Sequence, residues 1–252
     1  MKRFFLLTLA SAALLGASAA PVKTYEVKSP DGRLALVLTA GERLSFTVAR
    51  DGETLVAPSE MALTLSTGEV LGEAPRVRSA RRRAVSETID APLYRQSRFD
   101  AAYNELDLRL RGDYGILARA YDDGVCYRFY TERDGELTIV DETAQLNFEG
   151  DPSAYIPYSK TEIPMQTSFE NTYEYAPLSK FRTQTVAFMP VLVDLGERGY
   201  VLYTESDVES YPGVYLTYDK EARGFAARFA EYPTETSLTK RFQDVVERSA
   251  DY

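Results

Sequence analysis

The sequence predicts an all-β protein, a large antiparallel β-sandwich with one short helix at its carboxyl end. Period-two alternation of apolar residues dominates the chain, as at residues 34–40, 44–48 and 106–110. Turn residues separate such segments at intervals of about 8–12 residues, which is typical of sandwiches and barrels. The 3, 4, 7 spacing of an amphipathic helix appears only near the end, at Phe242, Val245, Val246 and Ser249.

Three short segments predict the tight turns between neighbouring strands. Ala40-Gly41 separates the first two alternating runs, and Asp51-Gly52 follows the second. Asp-Gly readily takes the positive φ angles of a type I′ turn, so residues 51–52 are expected to close a hairpin. Asp122-Asp123-Gly124 is expected to close another, because it lacks the alternating carboxylates and distal glutamate of an EF-hand calcium loop.

The amino terminus has the pattern of a secretory signal peptide. Lys2 and Arg3 precede the apolar run of residues 4–15, and Ala17-Ser18-Ala19 supplies a small-residue cleavage pattern. The apolar run is shorter than the roughly 20 residues that a membrane-spanning helix needs. We therefore expect residues 1–20 to be removed, residues 21–252 to form one domain, and the protein to be periplasmic or secreted.

Composition excludes several classes of site. Histidine is absent, which excludes Ser-His-Asp and Cys-His catalysis and histidine zinc sites within these 252 residues. The formal charge of −9 argues against nucleic acid or anionic membranes as partners and suits neutral or cationic ligands such as sugars and metal ions. Cys126 is the single cysteine, and its place in an apolar strand predicts a small core residue.

A basic cluster allows two interpretations. It could bind an anion, or it could be a solvated edge strand whose charges block strand addition, and the acidic remainder of the chain favours the edge strand. The cluster consists of Arg76, Arg78, Arg81, Arg82 and Arg83.

Four segments, taken in order and spacing, resemble the amino-terminal region of glycoside hydrolase family 97. They are Ser29-Pro30-Asp31-Gly32, Tyr103-Asn104-Glu105-Leu106, Ala120–Val125 with Tyr127-Arg128-Phe129, and Thr204-Glu205-Ser206-Asp207 leading into Tyr211-Pro212-Gly213. The resemblance covers nearly all of residues 21–252. It implies a mutarotase-like supersandwich that packs on a catalytic (β/α)8 barrel in an exported α-glucosidase or α-galactosidase. Such a barrel needs about 250 further residues, so we expect this sequence to be truncated before it and inactive alone.

The resemblance also implies one metal ligand. In the family, the amino-terminal domain lends a glutamate to a calcium site at the barrel mouth. Ile156-Pro157 and Leu178-Ser179 bracket the matching stretch, which places Glu170 at the ligand position and Glu174 as its competitor. Calcium takes 6–8 oxygen ligands, so the remaining ligands are expected from the barrel. The alternative is that both glutamates are exposed loop carboxylates.

Several other residues could have either a binding role or a structural role. Five polar residues of the resembling segments could shape a substrate pocket for an α-linked oligosaccharide or galactoside, or could cap strands and turns: Asn104, Glu105, Glu205, Asp207 and Tyr211. A stand-alone carbohydrate-binding or purely structural module is the alternative function. Its aromatic face would come from Tyr155, Tyr158, Tyr173 and Tyr175.

Overall fold

The structure is a computed structural model that describes residues 21–160, 171–206, 208, 211–230, 235–241 and 245–251, the last two ranges by their backbone. The expected signal peptide and Glu170 lie outside the described residues. The strands are β1 (Lys23–Lys28), β2 (Leu34–Ala40), β3 (Leu44–Arg50), β4 (Glu53–Leu65), β5 (Val70–Leu71), β6 (Val77–Asp90), β7 (Arg98–Leu110), β8 (Tyr114–Ala120), β9 (Val125–Thr131), β10 (Ile139–Asn147), β11 (Ser153–Ile156), β12 (Glu174–Pro177), β13 (Val191–Asp194), β14 (Tyr200–Tyr203), β15 (Val214–Asp219), β16 (Gly224–Phe229), β17 (Glu235–Arg241) and β18 (Val245–Asp251).

One large sheet organises the molecule, and all its pairings are antiparallel. Its strand order is β1-β2-β3-β4-β10-β16-β15, with β5 also paired to β4. The β3–β4 hairpin turns at residues 51 and 52, where Asp51 has φ 52° and Gly52 has φ 86°. Both angles are positive, as a type I′ turn requires, so this prediction is confirmed.

Two smaller antiparallel sheets have the orders β6-β7-β8-β9 and β12-β11-β13-β14. Period-two alternation directs one face of each sheet inward, since successive side chains of a strand point to opposite faces. In β7 and β8 the inward residues include Leu108 and Ile116, and in β11 and β13 they include Ile156 and Val193, all fully buried.

The core is a single apolar cluster that these sheets share. Leu36 and Leu38 of the large sheet belong to the same cluster as the inward residues of β7, β8, β11 and β13. Burying one leucine-sized side chain stabilises the fold by roughly 1.5–3 kcal/mol, so this alternating pattern is the main source of stability. The prediction of an antiparallel all-β fold is confirmed.

The predicted carboxyl-terminal helix is wrong. Residues 245–251 form β18, which pairs with β17 in the register Val246↔Lys240 and Ser249↔Ser237. An eight-residue window with two adjacent valines satisfies a helical spacing by chance, whereas β-branched side chains favour a strand. Among the described residues the helical elements are two 3₁₀ turns, Leu178–Lys180 and Gly196–Arg198, and no described helix is long and apolar enough to cross a membrane.

Candidate functional site

The structure describes only one of the two metal-ligand candidates that the sequence predicts. Glu170 lies outside the described residues, so its prediction stays a prediction. Glu174 is the first residue of β12, where it pairs with Ile156, and its carboxylate accepts a hydrogen bond from the Arg182 guanidinium. The Glu174 carboxylate is therefore already engaged in an exposed ion pair within its own domain.

A complete metal centre is not assembled by the described part of the chain. No group of three or more cysteine or carboxylate side chains there could hold an ion. Because calcium takes 6–8 oxygen ligands, a calcium site that included any of these residues would need most of its ligands from elsewhere.

The segment from Thr204 to Gly213 brings the Glu205 carboxylate and the Tyr211 hydroxyl close to Glu142 of β10. Glu205 accepts the backbone N–H of Val214 through both carboxylate oxygens, at 3.0 and 3.1 Å. The Tyr211 hydroxyl donates to Glu142 of β10 at 2.6 Å, across 69 residues of sequence. The segment therefore forms a local structure tied to the large sheet, and Asp207 falls outside the described residues.

Burial controls the ionisation of this group, which we call the acidic cluster (Glu142, Glu205, Tyr203 and Tyr211). Desolvation raises the pKa of Glu142 despite the hydrogen bond from Tyr211, and the charge of Glu205 raises it further. Desolvation likewise raises the pKa of Glu205 and of the Tyr203 and Tyr211 hydroxyls. Within the described residues no basic side chain forms an ion pair with Glu142 or Glu205.

Glu105 is the centre of an ionic network on the outward face of the β6–β9 sheet. The strand register aligns Arg83, Glu105 and Arg119 in one row across β6, β7 and β8. Arg83 Nε donates to Glu105 Oε1 at 2.6 Å and Arg119 Nε donates to Oε2 at 2.8 Å. The Arg119 guanidinium also lies 4.6 Å from the centre of the Tyr103 ring, a cation–π contact.

This network fixes the charge of Glu105. Burial raises the pKa of the carboxyl, but the hydrogen bonds and charges of the two arginines lower it by more, so the pKa lies below its ordinary value. Asn104 beside it donates from its side-chain amide to the carbonyl of Lys28 in β1 at 2.8 Å. Asn104 and Glu105 thus connect neighbouring strands, which agrees with the structural role that the sequence analysis gave as one of two alternatives.

The arginine cluster lies on or beside an edge strand, as the favoured interpretation predicted. β6 is the outer strand of its sheet, and the arginines of the cluster are exposed. Three of them have acceptors within the protein: Arg83 on Glu105, Arg82 on the Glu26 carbonyl at 2.9 Å, and Arg78 on Asp113 at 3.6 Å.

The prediction that Cys126 is a core residue is wrong. Cys126 is exposed, and the register places it opposite Arg119 on the outward face. The inward residues of β9 are Val125, Tyr127 and Phe129, which pack against the core. Desolvation by its neighbours on the sheet surface still raises the pKa of the thiol, so it is a weak nucleophile at neutral pH.

The four tyrosines of the predicted aromatic face do not lie together. Tyr158 is buried against Phe181, with ring centres 5.0 Å apart. Tyr155, Tyr173 and Tyr175 are exposed on or beside the β12-β11-β13-β14 sheet, and the rings of Tyr155 and Tyr175 are 4.7 Å apart. Three of the four predicted residues therefore reach the surface.

Comparison with known proteins decides the family. A profile described as glycosyl-hydrolase 97 N-terminal matches residues 27–243, most of the chain. The chain belongs to glycoside hydrolase family 97. Its matched region is the amino-terminal domain of that family, as the four resembling segments indicated.

The relatives of this family 97 domain are much longer than the chain. A retaining α-galactosidase of Bacteroides thetaiotaomicron is 35% identical in an alignment of 238 residues that covers 91% of this chain and 36% of that enzyme. A family 97 enzyme from Pseudoalteromonas sp. strain K8, solved with acarbose, superposes with a TM-score of 0.70 at 15% identity over 90% of this chain and 33% of that one. A β-arabinopyranosidase superposes with a TM-score of 0.73 at 22% identity over 82% and 35%. The chain thus spans about a third of its relatives' length, and the two structures show a shared fold.

Proposed function

We propose that this family 97 domain is the amino-terminal part of an exported, calcium-dependent α-glycosidase, in which it supports the catalytic barrel and lends one metal ligand. The observation that carries the proposal is the match of residues 27–243 to the family's amino-terminal domain. The retaining α-galactosidase at 35% identity supports an α-galactoside as the first substrate to test. The signal-peptide pattern in the sequence of residues 1–20 supports a periplasmic or secreted enzyme.

The two catalytic carboxylates of the reaction are assigned to the barrel. A glycosidase needs one carboxyl to protonate the leaving oxygen and a second to act as nucleophile or base, about 5–9.5 Å apart. Glu105 is held by two arginines, and Glu142 and Glu205 bond to groups of their own domain, so we assign structural roles to these three carboxylates. The domain's role is therefore to position and support.

We assign the metal ligand to Glu170. Its competitor Glu174 is ion-paired with Arg182, and a neutralised carboxylate binds a cation less well. The calcium supplies charge stabilisation at the barrel mouth when bound. The remaining oxygen ligands are assigned to the rest of the family-length polypeptide.

Calcium titration tests this assignment. The test protein joins this chain to the carboxyl-terminal part of the Bacteroides thetaiotaomicron enzyme, and calorimetry measures calcium affinity with Glu170→Gln and with the matched control Glu174→Gln. We expect Glu170→Gln to weaken binding by at least about tenfold, since it removes a charged ligand, and Glu174→Gln to leave it unchanged. Equal affinities in both variants and the parent protein, or a loss only in Glu174→Gln, would refute the assignment.

A stand-alone carbohydrate-binding module is the second candidate. The exposure of Tyr155, Tyr173 and Tyr175 on one sheet supports it, because sugars stack on aromatic rings. Calorimetry of the isolated chain with maltotriose and with an α-galactoside decides it. Saturable binding that Tyr175→Ala abolishes would support the module, and the absence of binding would remove it.

A further inference from the structure

The outward face of the β6–β9 sheet contains a groove with a volume of about 440 Å³, which we call the arginine groove. Arg81 and Arg83 are two residues apart on β6, so both side chains point to this face. Pockets of roughly 300–1,000 Å³ hold small organic ligands, so the arginine groove offers more space than a single inorganic ion needs. Its lining consists of Arg81, Arg82, Arg83, Glu105, Asp107 and Leu117.

The two carboxylates of the arginine groove are already engaged within the domain. Glu105 accepts from one arginine through each of its oxygens, as described above. Asp107 accepts from the Tyr130 hydroxyl through Oδ1 and from Arg109 Nε through Oδ2, the latter at 3.1 Å. Each oxygen of both carboxylates therefore has a donor, and neither carboxylate depends on a further guanidinium.

The arginines of the groove, in contrast, have hydrogen-bond donors to spare. A guanidinium carries five N–H groups and accepts no hydrogen bond. Arg83 donates to Glu105 from Nε, and its side chain is 65% exposed. Arg81 is exposed, and within the described part of the chain no hydrogen bond or ion pair holds its guanidinium. The arginine groove thus presents positively charged N–H groups whose acceptors must come from outside the domain.

The charge of the arginine groove is opposite to that of the whole chain. Three arginines line it against two carboxylates, and Arg119 lies in the same row as Arg83. The chain carries a formal charge of −9, so most of its surface repels anions. Guanidinium groups bind carboxylate, sulfate and phosphate oxygens through paired N–H groups. The groove is therefore a place on this acidic protein where an oxyanion is attracted.

The floor of the groove favours an organic anion over a bare ion. Leu117 of β8 pairs with Asp107 of β7, lines the groove and is half-buried. The aliphatic stems of the arginines add further apolar surface beside it. A sugar ring presents C–H groups as well as oxygens, so its ring can lie against Leu117 while a charged substituent meets the guanidiniums.

We propose that the arginine groove binds the oxyanion group of an acidic saccharide, such as the carboxylate of a hexuronate unit. Arg81 and Arg83 donate to the oxyanion, and Leu117 contacts the sugar ring. This gives the anion-binding interpretation of the basic cluster a defined place, at the three arginines that line the groove. The choice of a saccharide rests on the proposed function, whereas the oxyanion site rests on the groove alone.

Calorimetry of the chain at low ionic strength tests the proposal with three probes. Digalacturonate carries the oxyanion on a sugar, α-1,4-galactobiose is its neutral counterpart, and sodium sulfate supplies the oxyanion alone. Arg81→Gln is the test variant, because Arg81 holds no other group of the described domain. Arg76→Gln is the matched control, since it removes the same charge from an exposed arginine of the same cluster that does not line the groove.

We expect saturable binding of digalacturonate that weakens at least about tenfold in Arg81→Gln, since a charge-assisted contact is lost, and less than about twofold in Arg76→Gln. Galactobiose should bind at least about tenfold more weakly than digalacturonate. Equal weakening in both variants would show a diffuse effect of surface charge and overturn the site. Sulfate that binds as tightly as digalacturonate would overturn the saccharide assignment, and no binding of any probe would overturn the whole proposal.

The proposed function has a separate readout. Hydrolysis of 4-nitrophenyl α-galactoside by the chain joined to the carboxyl-terminal part of the Bacteroides thetaiotaomicron enzyme reports on the glycosidase assignment. Binding to the arginine groove needs only residues of this chain, so digalacturonate binding with an inactive joined protein supports the groove and refutes the function. An active joined protein whose isolated domain ignores digalacturonate gives the opposite result.

Discussion

Replacing Glu105 with glutamine keeps the shape of the side chain and removes its charge. The wild-type carboxylate is 4% exposed and accepts from Arg83 at 2.6 Å and from Arg119 at 2.8 Å. Glutamine can accept through one oxygen only, and its NH₂ group then faces the other guanidinium. Hydrogen bonds to charged groups contribute about 1.5–3 kcal/mol each, but both guanidiniums reach solvent and the loss is screened. We therefore expect Glu105→Gln to lower the free energy of unfolding by about 2 kcal/mol.

Thermal unfolding of the isolated domain measures this loss. For a domain of this size 2 kcal/mol corresponds to a fall in Tm of about 4–8 °C at pH 7. The pKa of Glu105 is lowered in the folded state, so the stabilisation is present above the ordinary glutamate pKa and is lost as pH falls through the folded pKa. The gap between wild type and variant should therefore close in acid.

The exposed pair Arg98–Asp90 provides the control, because Asp90→Asn should not change Tm measurably. An unchanged Tm for Glu105→Gln at pH 7, or a gap that persists in strong acid, would show that the charge of Glu105 is not the source of the stability.

Three further predictions concern other parts of the molecule. A Cβ at Gly224 would lie 2.2 Å from a backbone oxygen of β10, so Gly224→Ala should destabilise the domain by more than about 3 kcal/mol or abolish soluble expression, whereas Gly124→Ala, with open space around it, should not. Glu142→Gln should raise Tm at neutral pH and leave it unchanged in acid. The pKa of Glu142 is raised in the folded protein, so ionisation of its carboxyl destabilises the fold once pH rises above the ordinary glutamate pKa, whereas the glutamine amide stays neutral and its oxygen can still accept from Tyr211. Cys126 should react with a maleimide in the native protein, faster as pH rises towards the raised pKa of its thiol, and protection from labelling until denaturant is added would contradict its exposed position.

The fold was largely predictable because its strands follow the period-two rule. Leu34–Ala40 alternates in sequence and alternates between buried and half-buried side chains in the structure. The turn at Asp51-Gly52 was predictable from two residues, since few other pairs take two positive φ angles. The prediction of a carboxyl-terminal helix failed because residues 245–251 pair with β17, the strand immediately before them, and a helical spacing carries no information about this pairing.

The same rule would have corrected two site predictions. Cys126 and Arg128 share the parity of the outward face of β9, so the cysteine could be placed outside from sequence. Tyr155 and Tyr158 are three residues apart, which directs them to opposite faces, whereas Tyr173 and Tyr175 share one.

Contacts between distant segments could not be predicted from the sequence. Glu142 meets Tyr211, which lies between β14 and β15, across 69 residues, and Arg83 meets Glu105 across 22 through the pairing of β6 with β7. No local motif marks such partners, because sheet order and register decide them. The role of Glu105 as the acceptor of two arginines therefore appears only in the folded domain.

The turnover of 4-nitrophenyl α-galactoside tests the central claim most directly. It is measured for the isolated chain and for the chain joined to the carboxyl-terminal part of the Bacteroides thetaiotaomicron enzyme, with and without calcium. The account predicts no turnover by the isolated chain and calcium-dependent turnover by the joined protein. Turnover by the isolated chain would contradict it, because the domain would then contain a complete active site.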